Sequence, residues 1–151
     1  MKGSFKLGTI AGIGVFVHWT FSILIAFIIF SNYRAGHSTE QILWSLIFVL
    51  SIFFTVFLHE LGHALAAKRY MIKTKDITLL PIGGLARLDS IPEKPKEELV
   101  VALAGPAVNI GLAVITGLFI TLPDLKNLTL QLTAGVNASN FFLNFFIVNI
   151  W

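Results

Sequence analysis

The 151 residues are 56% hydrophobic and 13% charged, with 14 Phe and a mean hydropathy of +0.82. That balance excludes an ordinary soluble domain and leaves an integral membrane protein. The absence of cysteine excludes disulfides, thiol nucleophiles and cysteine-rich zinc sites, so His and carboxylate are the strong zinc ligands available. The net charge of +3 is unevenly placed along the chain and bears on topology.

Uncharged stretches long enough to cross roughly 30 Å of hydrocarbon run from Leu7 to Tyr33, Gln41 to Leu58, Leu99 to Pro123 and Asn127 to Trp151. They predict an all-α membrane protein: a polytopic helix bundle with four spans, at about residues 15–33, 41–66, 99–121 and 136–151, forming a single membrane-embedded core over 1–151. In the first stretch Gly8, Gly12 and Gly14 place the chain at the interface or in a short strand, and the helix proper is expected over Val17 to Phe30. His18 beside Trp19 suits an interfacial anchor better than a catalytic group.

The second span ends in His59-Glu60-Leu61-Gly62-His63. On a helix of 3.6 residues per turn, positions four apart share a face, so two imidazoles can reach one Zn²⁺ with Glu60 carried beside them. Zinc lowers the pKa of a bound water from 15.7 to about 7, and a placed carboxylate takes its proton, which points to peptide-bond hydrolysis. The plainer alternative is a chance pattern at a helix end. Each charged group in hydrocarbon costs roughly 2.5–3.5 kcal/mol on insertion scales, so such a cluster needs the compensation a metal provides.

The stretch Asp76 to Leu88 carries Pro81 and the pair Gly83-Gly84 and reads as two short β segments around a turn. Non-helical backbone at membrane depth survives only against protein or a water cavity, which predicts a short re-entrant β-hairpin. Its edge can pair with an extended substrate, or it can be a plain connection. In the third span, small residues around Ala104-Gly105-Pro106-Ala107 permit close helix approach. Asn109 can serve either a substrate carbonyl or a neighbouring helix. Phe141 to Trp151, with Asn140, Asn144 and Asn149, reads as a lipid- or bundle-facing helix whose asparagines bridge helices.

Lys2 and Lys6 precede the first span, and Lys68, Arg69, Lys73, Lys75, Arg87, Lys94 and Lys96 follow the second, whereas the opposite loops carry only Arg34 and Lys126. The positive-inside rule therefore places the N-terminus and the His59–His63 end on the cytoplasmic side. A nucleic-acid partner is not expected, because Asp76, Asp89, Glu93, Glu97 and Glu98 interrupt the basic loop and aromatics are scarce there.

Taken in order, Val17-His18-Trp19, His59-Glu60-Leu61-Gly62-His63, Leu80-Pro81-Ile82-Gly83-Gly84, Pro95-Lys96-Glu97-Glu98 and Gly105-Pro106-Ala107-Val108-Asn109 resemble the membrane core of the site-2 protease family of intramembrane zinc metalloproteases. The interval from His63 to Gly105 is too short for a PDZ insertion, so the resemblance is to the minimal branch. It implies that His59 and His63 bind Zn²⁺, that Glu60 is the general base, and that Asn109 polarises the substrate or the oxyanion. It further implies that the hairpin around Gly83 and Gly84 presents a transmembrane protein substrate, in what is expected to be a prokaryotic cell membrane.

The family's third ligand is an Asp in a later Asp-Gly motif, which this sequence does not contain. The chain is therefore expected to stop short of it and to be inactive alone. Asp124 falls on the opposite side by topology, and Asp76 and Asp89 are ordinary loop carboxylates that could substitute. The competing expectation is a pseudoprotease that captures transmembrane helices without cutting them. A zinc carrier fits less well, since its polar groups should recur along several spans.

Overall fold

The computed structural model describes residues 3–90, 94–120 and 135–150. In chain order the elements are β1 (Ser4–Ile10), β2 (Ile13–His18), α1 (Thr20–Arg34), α2 (Thr39–Arg69), β3 (Thr74–Leu80), β4 (Gly83–Leu88), α3 (Pro95–Gly117) and, in our numbering, α4 (Phe141–Ile150). They form two compact units, one of Met1–Leu24 with Phe53–Val108 and one of Ile25–Ile52 with Asn109–Trp151, and α1, α2 and α3 each contribute to both.

The first unit is built on a four-stranded sheet ordered β1-β2-β3-β4. β1 and β2 are antiparallel and turn through Ala11-Gly12, both at positive φ (53° and 86°), as a two-residue hairpin that follows the strand twist requires. β2 and β3 pair in parallel, so they need a long crossover, which α1 and α2 supply. β3 and β4 are antiparallel and close through Pro81-Ile82 into Gly83, whose φ of 139° is denied to L side chains.

Strand and helix periodicities meet in the core. Ile13 and Val15 of β2 and Ile77 and Leu79 of β3 alternate onto one sheet face, where they pack with Phe57 and Ala64 of α2 and with the half-buried Leu61 between them. Each large apolar side chain fully buried there contributes about 1.5–3 kcal/mol, which fixes the sheet against this stretch of α2. A second cluster of Ala67, Ile72 and Val101, flanked by Tyr70 and Leu88, joins the end of α2 to β4 and α3.

The ends of α2 are closed by local chemistry. Ser38 and Gln41 form a reciprocal capping box, with Ser38 N–H donating to Gln41 Oε1 at 2.8 Å and Gln41 N–H to Ser38 Oγ at 3.3 Å. At the other end, Ile72 N–H donates to Ala67 O and Met71 N–H to Lys68 O, a Schellman pattern with Met71 in the left-handed position at φ 62°.

In the second unit, Phe141 at the start of α4 meets Trp44 and Phe48 with ring centroids 6.1 and 6.2 Å away, and Phe142 stacks on Phe119 at 5.0 Å. The fully buried Asn140 precedes α4 and donates Nδ2 to Gly135 O at 2.7 Å.

Three expectations change. The lone hairpin is half of a four-stranded sheet, because the Gly-rich start forms β1 and β2 and the alternating Ile13, Val15 and Val17 find β3. The first helix begins at Thr20, three residues later than expected, since residues through His18 are committed to that pairing. Asn144 and Asn149 donate to carbonyls of their own turn, at Asn140 and Phe145, where bridges between helices were expected.

α2 and α3, with 31 and 23 residues, are long and apolar enough to cross a bilayer. At 15 and 10 residues, α1 and α4 are shorter than the roughly 20 a crossing ordinarily takes.

Candidate metal centre

His59, Glu60 and His63 stand on the C-terminal half of α2, within the first unit. The i,i+4 spacing brings the imidazoles together, with ring centroids 4.7 Å apart, planes inclined at 75° and the two Nε2 atoms 3.0 Å from one another. Two nitrogens bound to one tetrahedral zinc at about 2.0–2.1 Å would lie roughly 3.3 Å apart, so this pair already has the bite of a chelate.

The orientation of His63 is set from α3. Its Nδ1 lies 2.7 Å from Val101 O, and a carbonyl only accepts, so Nδ1 is the donor of that bond. In the neutral ring Nε2 then presents its lone pair toward His59. A backbone carbonyl behind a histidine is a usual way to fix the tautomer and direction of a metal ligand.

Two glycines allow the neighbouring elements to come this close. A Cβ on Gly62 of α2 would stand 2.8 Å from Ala104 O and 2.8 Å from Val108 Cγ2, so its absence lets α3 lie directly on α2. A Cβ on Gly84 of β4 would stand 2.6 Å from Glu60 Cγ and 2.9 Å from Val56 Cγ1. The hairpin glycine expected to present substrate thus abuts the expected base. β4 is an end strand of the sheet, and Gly83 beside Gly84 makes the turn.

The other sequence candidates stand on their own elements. Asn109 is one turn beyond Gly105 on α3 and belongs to the second unit. His18 closes β2, its Nδ1 2.8 Å from Thr20 Oγ1 at the start of α1. Asp76 is buried and held by a bidentate pair with Arg87, and Asp89 lies 2.9 Å from Lys75 Nζ. The Arg87 guanidinium hydrogen-bonded to Asp76 holds its carboxyl below the usual carboxylate range, against an opposing push from burial. Asp76 is therefore committed to a cross-strand ion pair, whereas Asp89, just past β4, makes an exposed one. Asp124 lies outside the described residues, and among the described residues no three His, Cys, Asp or Glu side chains gather into a metal cluster. The donor chemistry fits zinc as two ligands, and a third must come from outside this pair.

The family model for peptidase family M50 matches residues 47–149. This chain belongs to peptidase family M50. The M50 chain is 40% identical over 109 residues to a zinc metalloprotease of Methanocaldococcus jannaschii, an alignment covering 72% of this chain and 30% of that protein. It is 32% identical over 104 residues to stage IV sporulation protein FB of Bacillus subtilis, covering 68% and 35% respectively. It therefore spans about a third of the length of these curated relatives. Among solved structures, the site-2 protease from Methanocaldococcus jannaschii superimposes with a TM-score of 0.65 at 31% identity, covering 97% of this chain and 61% of that one.

Val101 carried no functional expectation, and Gly62 and Gly105 entered only as members of motifs and, for Gly105, as a small residue permitting close helix approach, with no role of their own. A glycine facing a motif across two helices is visible in sequence, but the partner it approaches is not.

Proposed function

We propose that this M50 chain carries the catalytic motif of an intramembrane zinc endopeptidase that hydrolyses a peptide bond in or next to a transmembrane segment of a protein substrate. The observation carrying the proposal is the convergence of His59 and His63 Nε2 at 3.0 Å on α2, with Glu60 on the same helix packed under the backbone of β4. In this reading His59 and His63 are metal ligands, and a bound zinc supplies Lewis acidity that makes water a competent nucleophile near neutral pH. Glu60 accepts the proton of the attacking water and returns it to the departing amine as the C–N bond breaks. Asn109, one helical turn past Gly105, donates from its side-chain amide to the substrate carbonyl. The outer edge of β4 pairs with the unwound substrate through main-chain hydrogen bonds.

The membrane setting is supported by α2 and α3, whose most apolar windows are only 11% and 22% buried, unlike core helices of a soluble protein. Phe27, Ile110 and Val114 expose more than half of their surface, as lipid-facing side chains do. The distribution of basic residues favours a cytoplasmic catalytic side, and the compact core and the family resemblance favour a prokaryotic cell membrane.

The test is Glu60→Gln in the full-length protein, reconstituted with a single-span substrate. Zinc content should match wild type while cleavage falls by at least ~10²-fold. Wild-type turnover in the Gln variant would remove Glu60 as the base. Zinc-loaded wild type that binds the substrate without cutting it would favour a helix-capturing pseudoprotease.

A further inference from the structure

Resting on the zinc reading above, we infer that Gly105 is the residue that reserves the metal's place. A Cβ built on Gly105 would lie 2.2 Å from His63 Nε2, 2.6 Å from His63 Cε1 and 2.7 Å from His59 Nε2. The 2.2 Å to His63 Nε2 is close to a zinc–nitrogen bond of about 2.0–2.1 Å, and the 2.7 Å to His59 Nε2 is longer than one but shorter than any van der Waals contact. A methyl there would thus crowd the space beside both Nε2 atoms, where a metal shared by them would bind. One turn earlier on α3, Val101 O holds His63 Nδ1, so a single turn of this helix both aims one ligand and keeps the space before it clear.

What has to yield to a methyl at position 105 decides the consequence. The atoms met are the outer ends of two imidazoles, not backbone, so the rings can rotate away and the helix pair can stay packed. Rotation separates the two Nε2 atoms and breaks the bond from His63 to Val101 O. Alanine also favours helix over glycine, so the change is benign to α3 itself. The cost therefore falls on metal binding and not on folding. Gly62 lacks this property, because its methyl would meet the Ala104 backbone oxygen at 2.8 Å.

The experiment compares wild type, Gly105→Ala and Gly111→Ala in the full-length protein. Gly111 is on the same helix and has no atom within 4 Å of its would-be Cβ, so it controls for the added methyl. Metal-stripped protein is melted with and without added zinc, and zinc affinity is measured by competition with a chelator. We expect the stripped Gly105→Ala protein to melt no lower than stripped wild type, its zinc-induced rise in Tm to vanish, and its zinc affinity to fall at least ~100-fold, beyond the usual effect of losing a supporting contact. Gly111→Ala should keep wild-type zinc affinity.

Wild-type zinc affinity in Gly105→Ala overturns the inference and leaves the protease reading intact. A fall in the stripped protein's Tm that accounts for the lost zinc response overturns it as well, since Gly105 would then serve packing. Absence of zinc binding by wild type fails the protease reading itself.

Discussion

Asp76 shows how a residue that resembles a ligand in sequence can be spent on structure. Its carboxylate is buried and bound to Arg87 across the β3–β4 pair, which lowers its pKa from 3.8. A depressed carboxylate contributes stability that is present above the unfolded value and is lost as pH falls through the folded value. Asp76→Asn should therefore melt below wild type at neutral pH, and the difference should shrink as pH is lowered past 3.8 toward the lower folded value. Melting curves in detergent at pH 7 and pH 3 check this, and an unchanged gap would contradict it. His59 and His63 were legible as a pair from spacing alone, because i,i+4 geometry is local. The role of Gly105 was not, since it depends on where another helix passes.

At the scale of elements, α2 is the most completely specified from sequence. Its apolar run predicts the helix, and the structure adds the Ser38–Gln41 box that begins it and the 57, 61, 64 face that meets the sheet. Its C-terminal end carries a cost, because Met71 sits at φ 62° with 90% of its surface exposed. An L residue there costs roughly 1–2 kcal/mol in backbone energy, part of which glycine would give back in lost chain entropy. Met71→Gly should raise stability by about 0.5–1 kcal/mol, read as a higher Tm with zinc affinity unchanged. The strands were harder to read. β3 and β4 follow each other through a Pro/Gly turn and were expected, whereas β2 pairs with β3 only after two intervening helices. Such a partner leaves no local mark beyond the alternation of Ile13, Val15 and Val17.

For the whole molecule, membrane orientation is the property most open to test. The chain contains no cysteine, so single cysteines can be introduced without background. Lys96→Cys, at the exposed start of α3, should react with an impermeant maleimide only from the cytoplasmic face. Glu40→Cys, at the exposed start of α2, should react only from the opposite face. Labelling of both from one side would contradict a membrane-crossing α2 and with it the placement of the motif near the cytoplasmic surface. The same experiment on either end of α1 and α4 would establish whether these shorter helices complete crossings within the full-length protein.

Local chemistry was sufficient for much of this protein. Composition required apolar surroundings, helical spacing joined His59 to His63, and charge asymmetry proposed an orientation, each from interactions among near neighbours or from residue type alone. Tertiary structure decided what those residues face. It placed Val101 O, 38 residues away in sequence, behind His63, set Gly84 on Glu60 and turned Gly105 toward the two imidazoles. Periodicity identifies a face of a helix or strand, but the packing of separate elements selects what that face touches, and the space a missing methyl leaves has meaning only once both sides are in place.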